Sequence, residues 1–94
     1  IGVGLDLDNN KIYFYKNGTL ENTGGTTITN RLYAFAVSQY GNTGRWLANF
    51  GNGYFGTTAV SSAGTNSGIG TFEYDVPSGY KALCTKNINA QEYS

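Results

Sequence analysis

The chain has 94 residues, with six basic and six acidic side chains, no histidine, one cysteine and one proline. That length is at most one domain, and it buries only about two-thirds of its unfolded surface, enough for one thin core. Balanced charge without a Lys/Arg run excludes the electrostatic footprint of a nucleic-acid binder and argues against an anionic membrane surface, and no apolar stretch is long enough for a membrane-spanning helix.

Eight Tyr, five Phe and 14 Gly, with no Met, favour strands lined with rings and joined by tight turns. Ile1–Asp8 alternates Val3, Leu5 and Leu7 with Gly4, Asp6 and Asp8, the period of a strand with one wet face. Asn9-Asn10 is a turn candidate. Lys11–Lys16 is a second strand, with Ile12 and Phe14 on one face and Tyr13 and Tyr15 on the other. Asn17-Gly18 is a strong hairpin signal, and Thr19–Glu21 starts the returning strand.

Residues 22–30 are rich in Gly, Thr and Asn and read as a loop. Strands are expected at Leu32–Val37 and Arg45–Phe50, separated by a turn at 38–44 and ended by Gly51-Asn52-Gly53. Residues 56–71 are small and polar, so a long exposed loop is expected. Phe72–Tyr74 is a short strand or extended segment, Val76–Gly79 a turn and Tyr80–Thr85 the last strand, with Cys84 a small buried strand residue. Residues 86–94 read as a polar tail or linker, and no window has helical periodicity.

Catalysis needs a nucleophile with a base, a carboxylate pair or a metal site. Without His, Cys84 has no imidazole partner for either a nucleophile pair or a zinc site. Asp6 and Asp8 lie on one strand face with Asn10 beyond. They begin like a calcium loop, but Lys11 stands where such a loop needs Gly. Glu73 and Asp75 form another same-face pair, with nothing to bring the two pairs together. No catalytic, metal or cofactor site is therefore expected, and the chain reads as a non-enzyme. Tyr13, Tyr15, Tyr40 and Tyr54 are the candidate binding residues, because tyrosine gives large rigid contact area at low entropic cost. The competing reading of each ring is sheet or core packing. Asn17-Gly18-Thr19 also matches a glycosylation sequon, which the hairpin explains better.

Three segments together resemble SPRY domains: Gly2-Val3-Gly4-Leu5-Asp6-Leu7-Asp8 running into Phe14-Tyr15-Lys16-Asn17-Gly18, then Asn49-Phe50-Gly51, then Pro77-Ser78-Gly79-Tyr80-Lys81-Ala82-Leu83. The ending Gly79–Asn89 and the insert Gly53–Thr58 look like the variant in structural proteins of tailed bacteriophages. The resemblance covers residues 1–85 and implies an antiparallel all-β, concanavalin A-like β-sandwich. The first residues match mid-family, so the chain is expected to be the C-terminal part of the full domain. The resemblance also implies a non-enzymatic virion structural or decoration protein in a larger assembly, binding other virion subunits or a host surface protein. The alternative is a recognition module, virion-borne or cytoplasmic, for a peptide, receptor or glycan.

Overall fold

The computed structural model describes residues 1–92, and the side chains of residues 1–90. Its main sheet is a meander. Strand β1 (Gly2–Asp6) pairs antiparallel with β2 (Lys11–Lys16), placing Gly2 opposite Tyr15, Gly4 opposite Tyr13 and Asp6 opposite Lys11. Val3 and Leu5 stand opposite Phe14 and Ile12. Side chains alternate across a strand, so one face carries Gly2 and Gly4 against Tyr15 and Tyr13 with Asp6 and Lys11 beyond, and the other carries Val3, Leu5, Ile12 and Phe14 with Lys16 at its end.

β1 stops two residues short of the alternation that runs through Asp8 because Asp6 closes the turn. The Asn9 backbone N–H donates to Asp6 Oδ1 (3.1 Å) and Asn9 Nδ2 donates to Oδ2 (2.9 Å). Asn10 then takes a left-handed φ of 55°, which asparagine tolerates. At the other end of β2, Asn17 and Gly18 have φ values of 50° and 81°, the two positive values of a type I′ hairpin. The chain returns as β3 (Thr19–Leu20), paired with Tyr15 and Lys16.

The expected loop 22–30 contains one more strand, β4 (Thr26–Thr27), which pairs with Lys11 and Ile12. Between β3 and β4 the side chain of Asn22 takes the place of a strand. Phe14 N–H donates to Asn22 Oδ1 (2.8 Å), and Asn22 Nδ2 donates to the Ile12 carbonyl and to Thr26 Oγ1, both at 2.9 Å. Glu21 N–H reaches the Phe14 carbonyl and Ile28 N–H the Asn10 carbonyl. This edge of β2 is therefore closed along its length. Among the described residues no strand pairs with the outer edge of β1.

A second, smaller region is built on glycine. β5 (Tyr54–Phe55) and β6 (Thr58–Ala59) form a short hairpin, and an isolated bridge joins Asn52 to Thr71. Gly51 and Gly70 cross backbone to backbone over Ala82. A Cβ on Gly70 would lie 3.1 Å from the Ala82 Cβ and 3.2 Å from the Gly51 Cα. Ala82, 6% exposed, is the one buried hydrophobic residue among the described residues.

The strands expected at 32–37, 45–50, 72–74 and 80–85 form no ladder among the described residues. Their alternation is present, but alternation alone does not make a strand, and among the described residues none of these segments pairs with a neighbour. Residues 56–71 are not a uniformly exposed loop. They hold β6, and Ser67 is buried with its hydroxyl donating to the Gly70 carbonyl (3.2 Å). The expected tail begins as a helix, α1 (Thr85–Glu92), while residues 93 and 94 lie outside the described residues. A helix this short is marginal alone. It is held by buried Asn87, whose Nδ2 donates to the Ala82 carbonyl (3.0 Å) and the Ile69 carbonyl (3.4 Å). This tie is tertiary, which is why no periodicity announces it.

The result is antiparallel, strand-built and nearly helix-free, but open. The radius of gyration is 14.1 Å, against about 12.4 Å for a compact chain of this length. The accessible surface is 7298 Å², against about 5300 Å² for a folded monomer of this mass.

Candidate functional site: an open apolar face

Many of the exposed apolar side chains line one open hollow. This hollow of about 1810 Å³ runs along the hairpin, lined by Val3, Leu5, Ile12 and Phe14 of one face and also by Gly2, Gly4, Asp6 and Tyr15 of the other. Its other walls come from residues 31–37, 45–50 and 72–83. The apolar side chains around it are half in water: Leu5 is 42% exposed, Phe14 40%, Phe35 52% and Trp46 53%. Phe35 and Phe50 meet edge to face with centroids 5.1 Å apart, and the Tyr33 hydroxyl donates to the Thr29 carbonyl. These contacts order the far wall without closing the space. Small-molecule pockets occupy about 300–1000 Å³, so this cavity has the scale of a polypeptide segment.

The opposite face of the hairpin is the aromatic one. Tyr13 meets Tyr80 edge to face at 6.5 Å and 88°. Gly4 makes room for this ring, since a Cβ there would lie 3.1 Å from Tyr80 Cε1. Tyr15 lies over Gly2, opposite it in register. Burial, with the Asp6 charge second, pushes the Tyr80 phenol above its ordinary pKa. The four candidate tyrosines thus divide. Tyr13 and Tyr15 share a half-buried face with Tyr80, which sequence reasoning missed as a partner because it is distant in the chain. Tyr40 is fully exposed in the 38–44 turn, and Tyr54 starts β5 on a separate hairpin. Among the described residues no ring contact joins Tyr40 or Tyr54 to the other two.

The polar candidates are engaged in structure. Asp6 holds Asn9, and the Asn9 side-chain amide, followed by its backbone N–H, keeps the Asp6 carboxyl below the usual aspartate pKa. Asn10 Oδ1 is buried without a hydrogen-bond partner. Asp75 accepts from the Asn66 N–H with both oxygens (3.1 and 3.2 Å), and Asn66 Nδ2 donates to the Val76 carbonyl (2.8 Å), tying the 56–71 segment down. Among the described residues no three His, Cys, Asp or Glu side chains gather as a metal would need. Cys84 is half-buried beside a hollow of about 360 Å³ shared with Phe50, Ile69 and Gly70, outside any ladder. No described helix is long and apolar enough to cross a membrane.

Among the described residues these features define an antiparallel, strand-built chain whose main sheet has one closed edge, one edge that no strand pairs with, and a half-exposed apolar face. No family model matches the chain, and neither curated proteins nor solved structures yield a match.

Proposed function

We propose that this chain is a non-enzymatic assembly module: a SPRY-like sandwich segment that serves as a structural or decoration subunit of a tailed-phage virion, with its open apolar face covered by further polypeptide in the particle. The observation that carries the reading is the uncovered face itself. Val3, Leu5, Phe14, Phe35 and Trp46 surround one polypeptide-sized space. An exposed apolar patch of this extent marks an interaction site. The surplus surface, about 2000 Å², is what one partner contributes to an obligate interface, whose two sides together bury about 2000–5000 Å². The particle and the sandwich rest on the motif resemblance at residues 2–18, 49–51 and 77–83. The test is fractionation of native material by size, with the chain followed by mass spectrometry. Recovery in intact particles supports the reading; recovery only as free protein overturns it.

A further inference from the structure

We infer that Asn17 is a site of spontaneous modification, where the side-chain amide is lost to give aspartate or isoaspartate at a rate set by the hairpin turn. Asparagine before glycine is open to this reaction because glycine has no side chain to hinder attack by its own backbone nitrogen. The chain has two such pairs, Asn17-Gly18 and Asn52-Gly53, and the fold treats them differently.

The Gly18 nitrogen gives up its proton to solvent base and attacks the Asn17 Cγ. A C–N bond forms, the side-chain amide leaves as ammonia, and a succinimide ring closes. Water then opens the ring at either carbonyl. Opening at Cγ leaves aspartate in an ordinary chain, whereas opening at the main-chain carbonyl leaves isoaspartate, whose chain runs on through Cγ. Water is consumed, ammonia is released, and nothing is oxidised or reduced.

Asn17 and Gly18 are both exposed at the tip between β2 and β3. Among the described residues neither the Asn17 side chain nor the Gly18 N–H has a hydrogen-bond partner. At the other pair Gly53 is buried and its N–H donates to Asn49 Oδ1 (3.3 Å), while Asn52 Oδ1 accepts from the Tyr54 N–H (3.4 Å). Asn52 is also bridged to Thr71. Both reacting groups there are already engaged.

The turn is the gate at Asn17. Its φ of 50°, with 81° at Gly18, belongs to a type I′ turn, in which the Gly18 nitrogen lies roughly anti to the Asn17 Cβ and away from Cγ. Attack requires this backbone to swing round, so it waits on local opening of the tip. Tyr74 holds the tip shut: its ring lies so close over Gly18 that a Cβ there would be 2.7 Å from Cδ1. The two products then differ in what they do to the sheet. Asp-Gly suits the same turn. Isoaspartate adds a backbone carbon to a loop whose ends are fixed by the Lys16–Thr19 and Tyr15–Leu20 pairs, so β3 lets go, and with it the Glu21 N–H bond to the Phe14 carbonyl (2.8 Å).

The test ages the whole chain in mildly alkaline buffer and maps it by peptide mass spectrometry, with isoaspartate counted by enzymatic methylation. In the folded chain, product at Asn17 should exceed product at Asn52 by about tenfold or more, because Asn52 must first break its hydrogen bonds; in urea the two should converge. Tyr74→Ala should raise the Asn17 rate several-fold and leave Asn52 unchanged, while retained protection of the β1 and β2 amides shows that the sheet persists. The purified isoaspartate form should exchange its Glu21 amide about tenfold faster than Asn17→Asp, which carries the same charge. Product at Asn52 equal to that at Asn17 in the folded chain overturns the site. An Asn17 rate untouched by Tyr74→Ala overturns the gate, and a Glu21 amide as protected as in Asn17→Asp overturns the consequence for β3. None of these readouts involves a partner, so the site stands or falls apart from the assembly reading.

Discussion

Replacing Asn22 with alanine tests how the closed edge of the sheet is made. The substitution removes three side-chain hydrogen bonds of 2.8–2.9 Å, two of them to the backbone of β2 at Ile12 and Phe14. A net hydrogen bond contributes about 0.5–1.5 kcal/mol. The Thr26 hydroxyl is exposed and finds water, so it adds little. The two backbone groups lose a partner between β3 and β4, which gives a loss of about 2 kcal/mol. With a urea slope of about 1–2 kcal/mol/M for a chain this small, the unfolding midpoint falls by about 1–2 M. Asn22→Asp should do no better: it keeps an acceptor for the Phe14 N–H but turns an oxygen toward the Ile12 carbonyl. Exchange of the Phe14 amide should accelerate in both variants. A loss below about 0.5 kcal/mol, or an unchanged Phe14 amide, would refute the strand-mimic role.

Gly18→Ala and Gly24→Ala both place a Cβ at φ 81°, but only at Gly18 would it meet a neighbour, Tyr74 Cδ1 at 2.7 Å. Gly24→Ala should lose about 1 kcal/mol for the left-handed backbone and Gly18→Ala clearly more; equal losses by thermal melting would contradict the contact. Asn49→Ala removes the acceptor of the Gly51 and Gly53 N–H groups (2.7 and 3.3 Å) and the donor to the Thr71 carbonyl (2.9 Å). It should lose about 1–3 kcal/mol and open residues 56–71 to limited proteolysis, where an unchanged cleavage pattern counts against it. Asp6 has a folded pKa below its unfolded one, so its contribution is present above the unfolded value and lost as pH falls through the folded value. Melting temperature measured downward from neutral pH should therefore fall less steeply for Asp6→Asn than for the parent, and parallel curves would remove Asn9 as the cause.

The hairpin was legible because its rules are local. Period-two alternation from Val3 and the Asn17-Gly18 pair define β1, β2 and the turn between β2 and β3 with no outside help. Asp6 is local too, but its bonds to Asn9 shorten β1 in a way that alternation alone does not reveal. Leu32–Val37 and Arg45–Phe50 carry the same alternation without a ladder, because pairing depends on a neighbour that no local pattern encodes. The ties of Asn22 to β2, Asn49 to Thr71, Asn66 to Val76 and Asn87 to Ile69 are long-range choices of an ordinary polar residue. The candidate tyrosines show the same limit. Tyr13 and Tyr15 share a face by strand period, whereas their contact with Tyr80 depends on how a distant segment returns over Gly4.

The central proposal is that the apolar face is covered by further polypeptide in an assembled particle. Hydroxyl-radical footprinting of the isolated chain and of the particle-bound chain measures this at each side chain. Leu5, Phe14, Phe35 and Trp46 should label readily in the isolated chain, as their exposure requires, and become strongly protected in the particle, while Tyr40 in its exposed turn stays labelled in one setting at least. Equal labelling of Leu5, Phe14, Phe35 and Trp46 in the two settings would contradict the account.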